Sequence, residues 1–326
     1  MILSEKMLQN LSIAIVLPVF NDWQSLRLLL RAMDETCHAS GITIDVYAVN
    51  DGSTIDPDLS NADTNGFRCI RSVHIIHLTR NFGHQRAIAI GLCHAAEHAK
   101  VDAVVVMDSD GEDKPEDILT LAKASMDAPG KVIFAQRAKR SESLSFRFFY
   151  IIYKRVYKML TGSAISFGNF SIIPASLMQK ATAVSEIWIH YAAGVMKSRL
   201  PIETIPTERG TRLAGQSKMN FVSLLLHGLS GIAVHLEVVA ARMLVWSLIF
   251  IGFSILGIGI VFSLRLLTNL VISGWASGVT IGLLGILLQA LLFSTLLVFL
   301  VLNNRTQQFF VPRLNYTQYI QRVEEI

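Results

Sequence analysis

Three apolar runs in this chain stop abruptly at acids. Val104-Val105-Val106-Met107 leads into Asp108-Ser109-Asp110, Leu17-Pro18-Val19-Phe20 into Asn21-Asp22, and Val49 into Asn50-Asp51. A short β-branched run ending this way reads as a buried strand leaving a sheet. Open α/β sheets bind ligands outside the carboxyl ends of their strands. Two carboxylates one residue apart at such an edge suit a hard divalent cation holding a diphosphate, with an acidic turn that binds nothing as the bland alternative. A carboxylate can also accept from a nucleobase N–H or a ribose hydroxyl without a metal. The acids therefore divide: Asp22 and Asp51 for a nucleoside, Asp110 helped by Asp108 for metal and phosphate. A calcium-binding EF-hand starting at Asp108 fails on spacing, because its sixth and twelfth positions need Gly and Glu and hold Asp113 and Leu119.

These residues need a sheet to hold them, and the pattern up to about residue 210 supplies one. Strands are expected at 12–18, 44–50, 74–79, 103–107 and 132–135, and helices near 23–39, 85–98, 115–126 and 146–160. Such alternation implies a mostly parallel sheet covered on both faces. Turn residues fall between the elements, at Asp51-Gly52-Ser53, Asn81-Phe82-Gly83 and Pro129-Gly130.

The 326 residues are 52% hydrophobic and 17% charged, and mean hydropathy is positive. That is too apolar for an ordinary soluble domain alone and too charged for a membrane bundle alone. Residues 243–264 and 279–302 carry no charge, and each is long enough to cross a hydrocarbon core. The short join between them makes a hairpin. Arg242 before it and Arg305 and Arg313 after it, against Arg265 in the loop, place both chain ends in the cytoplasm. Gly274, Gly278 and Gly282 offer Gly-xxx-Gly spacing for close helix contact, and Trp246 and Trp275 suit the bilayer interfaces. Between the two parts, Asn220, Ser223, His227, Ser230 and Glu237 share one side of a helix that is otherwise apolar, a pattern for a helix lying in the interface. The net charge of +4 fits an anionic membrane surface and anionic substrates, and no long basic run points to nucleic acid. Cys37, Cys69 and Cys93 lack metal or disulfide spacing and read as free thiols. The apolar stretch 11–20 is short and broken by Pro18, so it reads as the first strand and not as a signal peptide.

Pro-Val-Phe-Asn-Asp (18–22), Asn-Asp-Gly-Ser-Thr (50–54), Thr-Arg-Asn-Phe-Gly-His (79–84) and Met-Asp-Ser-Asp-Gly-Glu-Asp-Lys-Pro (107–115) occur in that order. In this the chain resembles family 2 glycosyltransferases of the GT-A fold. It is most similar to their polyprenyl-phosphate branch, which includes dolichyl-phosphate mannose synthases and bactoprenol glucosyltransferases. The similarity spans about residues 11–220, and the two-span end also resembles the bactoprenol enzymes.

The resemblance implies a Rossmann-like α/β domain over 1–218, an interfacial helix over 219–237, transmembrane helices over 243–264 and 279–302, and a cytoplasmic tail over 303–326. It implies that Asp51 contacts the base and that Asp108 and Asp110 bind Mg2+ or Mn2+ and the sugar nucleotide. Pro18, Asp22, Arg80, Asn81 and Gly83 would line the nucleotide. Asp110, Asp113 and Arg137 would carry catalysis, Arg137 being favoured over Arg140 as an arginine near the phosphates. Arg209, Arg212, Ser217 and Lys218 resemble the family's Arg…Gly-x-Ser-Lys element and would grip the acceptor phosphate. His84 is a candidate substrate contact, and His190 a packed or acceptor-cleft residue. One departure matters: Gly168-Asn169-Phe170-Ser171 stands where related enzymes often carry Asp-Phe-Arg-Leu or a Ser-Gly-Phe variant, so an Asp that serves as base in some relatives is Asn169 here. A phosphomonoester is already largely ionised at neutral pH, with a second pKa of about 6, whereas a hydroxyl acceptor would need a general base. The expected activity is inverting transfer of a sugar, UDP-linked, to polyprenyl phosphate at the cytoplasmic membrane face, with the bilayer as partner and self-association open. The alternatives are a hydroxyl lipid or glycan acceptor, or a non-catalytic sugar-nucleotide-binding scaffold subunit.

Overall fold

The computed structural model describes residues 8–57, 66–137, 144–163, 167–215, 221–267, 274–306 and 310–326. They form two units. One comprises residues 1–150, 165–234 and 310–326; the other comprises residues 151–164 and 235–309.

The first unit is built on an eight-stranded sheet. Its elements in chain order are β1 (Ser12–Val19), α1 (Trp23–His38), β2 (Thr43–Asn50), β3 (Ile70–Leu78), α2 (His84–His98), β4 (Ala103–Val106), α3 (Pro115–Asp127), β5 (Val132–Arg137), α4 (Leu144–Thr161, which runs into the second unit), β6 (Ser171–Pro174), α5 (Ala175–Thr182), α6 (Tyr191–Lys197), β7 (Ile202–Thr207) and α7 (Phe221–Ala233). The second unit contributes α8 (Leu236–Leu267) and α9 (Trp275–Thr306). The chain then returns to the sheet through the short α10 (Pro312–Asn315) and β8 (Ile320–Glu325).

The strand order is β7-β5-β6-β4-β1-β2-β3-β8. β1 pairs in parallel with β2 and β4, β2 with β3, and β5 with β7; β6 and β8 run antiparallel to their neighbours. From Ile13 to Val19 every residue of β1 is buried, as expected of a central strand covered on both faces. Its alternate residues feed two cores. Ile13, Ile15 and Leu17 pack with Leu26, Leu29 and Leu30 of α1, and Ala14 and Val16 pack with Ile88 and Leu92 of α2.

The five strands and four helices expected from sequence in this region are present, with ends shifted by a few residues; the largest shift is at β3, which starts at Ile70. Three strands gave no readable signal. β6 is only four residues long, β7 contains Pro206, and β8 carries Arg322, Glu324 and Glu325 on an exposed edge, where charge blunts edge-to-edge association. Residues 310–326, expected as a tail after the second span, fold back instead, and β8 lies beside β3. The three cysteines are free and buried. Burial pushes the Cys37 and Cys93 thiols up to about 12.

In the second unit α8 and α9 are each 32 residues long, about 48 Å at 1.5 Å per residue. Both are long and apolar enough to cross a membrane by length and composition. Their Phe253, Phe262, Ile281 and Phe299 side chains are exposed. The helices meet at Gly257, where an added Cβ would lie 3.0 Å from Leu283, whereas Gly274, Gly278 and Gly282 face open space. The expected Gly-xxx-Gly contact is thus not where this pair packs. Within the same unit Tyr157 of α4 is buried with its ring edge-on to His235. Arg242 donates to the Met159 carbonyl at 2.7 Å, a cation set against the last carbonyls of a helix.

Candidate functional site

The register of the central strands gathers the acids. Val19 lies beside Asn50 and Val16 beside Val106, so Asp22, Asp51 and Asp108 leave neighbouring strands at one edge. Ser109 donates to the Pro18 carbonyl at 2.9 Å and ties the β4 exit to β1. Pro18 thus meets the exit of β4 through its backbone carbonyl.

Asp51 is buried and holds the next loop in place. Its two oxygens accept the N–H groups of Phe82 at 2.7 Å and Gly83 at 2.9 Å. Burial raises its pKa, and those two donors oppose the rise. Gly52 is required here: its φ is +67°, and a Cβ would sit 2.4 Å from the Asn81 nitrogen. The Arg80 guanidinium lies 4.5 Å from the centre of the Phe82 ring. Arg80, Asn81 and Gly83 therefore belong to one loop fixed by Asp51. Asn21, in left-handed backbone at φ 52°, accepts from the Thr54 and Ile55 N–H groups at 2.8 and 3.0 Å. Its own N–H donates to Ser53 Oγ at 2.9 Å. The only signal of this clamp in the sequence is an Asn, a residue tolerant of positive φ, beside an Asp at a strand exit.

Asp22 and Asp110 face one guanidinium. Arg212 Nη1 donates to Asp110 Oδ2 at 2.9 Å, Nη2 donates to Asp22 Oδ2, and Nε donates to the Ala214 carbonyl at 2.9 Å. Asp22, expected on the nucleoside side, thus shares a guanidinium with Asp110, expected on the metal side. Burial raises the Asp110 pKa, and Asp108 adds to the rise. Arg212, expected on the acceptor phosphate, is held between these acids, and Arg209 Nε donates to Glu112 at 2.9 Å. Asp113 is buried, and its carboxylate accepts the Asp108 N–H at 3.1 Å. In this position it orients Asp108. Arg137 closes β5; its side chain, with Arg140, Ser217 and Lys218, lies outside the described residues.

On the other side of Asp108 stands His84, with Nε2 3.2 Å from Asp108 Oδ1 and 3.1 Å from Asn169 Nδ2. Neighbouring atoms that displace water work against its charge; Asp108, with Asp51 and Asp110, outweighs them and raises its pKa. Gln85 Oε1 accepts the Tyr191 N–H at 2.6 Å. The His190 ring lies 4.6 Å from His227 of α7, and burial followed by His227 brings its pKa down to about 3. His190 also accepts the Ala193 N–H at the start of α6. Of the two readings open for it, the structure shows His190 packed and buried.

Among the described residues no three His, Cys, Asp or Glu side chains form a ready-made ion cage. The donor set still suits a hard cation. Mg2+ in particular is held by one or two carboxylates together with substrate phosphates, and Asp22 and Asp110 already share a positive group.

A family description, Glycosyl transferase family 2, matches residues 14–188. The uncharacterized glycosyltransferase YkcC of Bacillus subtilis (strain 168) is 27% identical over 287 residues, covering 85% of each chain. An undecaprenyl-phosphate 4-deoxy-4-formamido-L-arabinose transferase of Klebsiella pneumoniae is 26% identical over 227 residues, covering 65% of this chain and 64% of that protein. Glucosyl-3-phosphoglycerate synthase of Mycobacterium tuberculosis, solved with Mn2+, UDP-glucose and phosphoglyceric acid, superposes with a TM-score of 0.50 at 15% identity. It covers 72% of this chain and 82% of its own. The shared fold is the GT-A type.

Proposed function

The chain belongs to glycosyl transferase family 2, and on that premise we propose that it moves a hexosyl group from a nucleotide-diphosphate sugar, UDP-linked, to polyprenyl phosphate. Transfer inverts the anomeric carbon and takes place at the cytoplasmic face of a membrane. Asp108 and Asp110 hold Mg2+ or Mn2+, and Asp22 stands beside them. The observation that carries this reading is the convergence of Asp22, Asp108 and Asp110 on one sheet edge, two of them already sharing a cation. When bound, the divalent ion would neutralise charge on the departing diphosphate. The loop at 80–83, fixed by Asp51, lines the nucleoside side.

Three features support a phosphate acceptor. The Klebsiella relative is named for undecaprenyl phosphate. At Asn169 an amide stands beside His84 and Gln85, so that position offers no carboxylate to deprotonate a hydroxyl. Arg209 and Arg212 lie on the loop running along residues 110–112, within the site that would receive a phosphate.

Membrane placement rests on exposed apolar surface. α7 turns Val222, Leu225, Leu226 and Leu229 outward while His227 faces His190. That is the surface expected of a helix lying in a bilayer interface. The second half of α4 exposes Ile151, Ile152, Val156 and Met159 among Lys154, Arg155 and Lys158, a mixture suited to anionic headgroups. α8 and α9 would cross the bilayer. Because the chain leaves the sheet unit before α8 and rejoins it after α9, two crossings leave both ends on one side, in keeping with the arginine distribution.

The test is transfer of radiolabel from a panel of sugar nucleotides to undecaprenyl phosphate in membranes containing the chain, with Mg2+ or Mn2+. Labelled polyprenyl-phosphate sugar is expected, and mass spectrometry of that lipid names donor and acceptor together. If no donor labels the lipid, the acceptor assignment is lost.

A further inference from the structure

The residues 208–215 that follow β7 are bolted along the acidic edge. Leu213 N–H donates to the Asp110 carbonyl at 2.9 Å and Gly210 N–H to the Glu112 carbonyl at 2.8 Å. Arg209 pairs with Glu112, and Lys114 with Glu208 at 3.3 Å. Ser25 Oγ lies 2.7 Å from Asp22 Oδ1 and 3.1 Å from the Ala214 carbonyl. The Leu213 side chain covers Gly111 so closely that a Cβ there would come within 2.4 Å of it. At the centre is the Arg212 guanidinium, bonded to Asp22 and Asp110 at once and about one-fifth exposed.

We propose that Arg212 stands in for the divalent cation and is exchanged for it. Metal and donor displace the guanidinium from Asp22 and Asp110, and only then is it free to hold the acceptor phosphate. This deepens the reading given under Proposed function and rests on it.

The physical case is competition for the same lone pairs. A guanidinium fork satisfies two carboxylates well. A hard divalent ion wants the same oxygens and carries twice the charge. Two cations cannot share one pair of carboxylate oxygens at contact distance without strong repulsion. Before donor arrives, Arg212 keeps the two acids paired and the loop closed. After exchange, the displaced arginine is a cation without its partners, beside the place where the acceptor phosphate must come. Donor would thus bind first and acceptor second, and the arginine would link the two events.

The experiment uses the full chain in lipid nanodiscs and isothermal titration with Mn2+ and UDP. In R212Q the competitor is gone, and Mn2+·UDP is expected to bind about fivefold tighter or more, the lower end of ordinary coupling between sites. R212K keeps a charge but lacks the fork, so it should fall between R212Q and the wild type; it also serves if R212Q folds poorly. In turnover assays R212Q should lower the KM for donor and raise the KM for polyprenyl phosphate. A residue that merely propped the loop would move both the same way. If the wild type binds Mn2+·UDP and neither variant binds it more tightly, the exchange is overturned while the donor reading stands. If none of the three proteins binds Mn2+·UDP, the donor reading and the exchange fall together.

Discussion

α1 and α8 are built to opposite plans. In α1 the buried apolar residues are Trp23, Leu26, Leu29, Leu30, Met33 and Cys37, mostly large side chains at helical spacing turned onto the sheet, with Ser25 and Asp34 buried beside them. In α8 the buried residues include Ala240, Ser247, Ser254 and Val261, while Phe250, Phe253, Leu256 and Phe262 point outward. These four buried positions are seven residues apart, so they trace one seam toward α9, and Gly257 widens it. The Ser247 hydroxyl is satisfied within its own helix by the Met243 carbonyl at 2.9 Å. Small side chains inside and large apolar ones outside suit a helix pair in lipid, where burying leucine brings no gain and close packing does. The sheet unit draws its stability from excluding water and collects polar groups at one edge. The hairpin, if it crosses a bilayer as proposed, would depend on close packing between its two helices.

The largest expected effect breaks one side of this contrast and spares the other. Asp110→Asn removes the carboxylate proposed to bind the metal and one of the two carboxylates bonded to Arg212. Donor turnover should fall by about a thousandfold or more, several kcal/mol of lost transition-state stabilisation. The protein should still reach the membrane fraction in normal amount. Near-normal turnover of this variant under Mg2+ or Mn2+ would remove Asp110 from the site.

The same contrast explains what could be read without coordinates. β1, β2 and β4 were legible because central parallel strands are continuous apolar runs, and their acids were legible because each stands where such a run stops. The spans were legible by length. Partner choice was not. Arg212 sits about a hundred residues from Asp110, and nothing in its spacing says whether its guanidinium meets a carboxylate or a phosphate. Asp113 is legible as a member of the motif that follows Asp110, but nothing in the sequence says that its carboxylate turns back to the Asp108 N–H. β8 was invisible because an exposed charged edge strand has no apolar run, and its pairing with β3 crosses the whole hairpin.

The hairpin side can be tested at Leu256, which is 60% exposed near the middle of α8. In a helix facing water, Leu256→Arg would be close to neutral. In one facing lipid it should disfavour insertion by about 3 kcal/mol. The expected result is a loss of chain from the membrane fraction, with Mn2+·UDP binding retained in detergent. Unchanged membrane yield would mean that this face does not meet hydrocarbon.

The smallest effect separates the two units by acid. His94, inside the sheet unit, stacks on His98 and lies edge-on to Tyr47. Burial, followed by His98 and His74, lowers its pKa from 6.5 to about 4. Between those pH values the unfolded chain binds a proton that the folded chain refuses. Stability therefore rises with pH through this window, is complete above about pH 6.5, and declines by about 1.4 kcal/mol per pH unit below it for this one residue. The carboxyls of Asp51 and Asp110, raised by burial, act in the opposite direction, but only nearer the carboxylate range. Hydrogen exchange measured from pH 7 to pH 5 should show protection falling in β1, β2 and α2 while α8 and α9 keep theirs. His94→Gln should flatten the part of that slope due to His94. Equal loss of protection in both units would mean that acid acts through the chain as a whole, and the division between a water-built unit and a lipid-built one would fail at the level of stability.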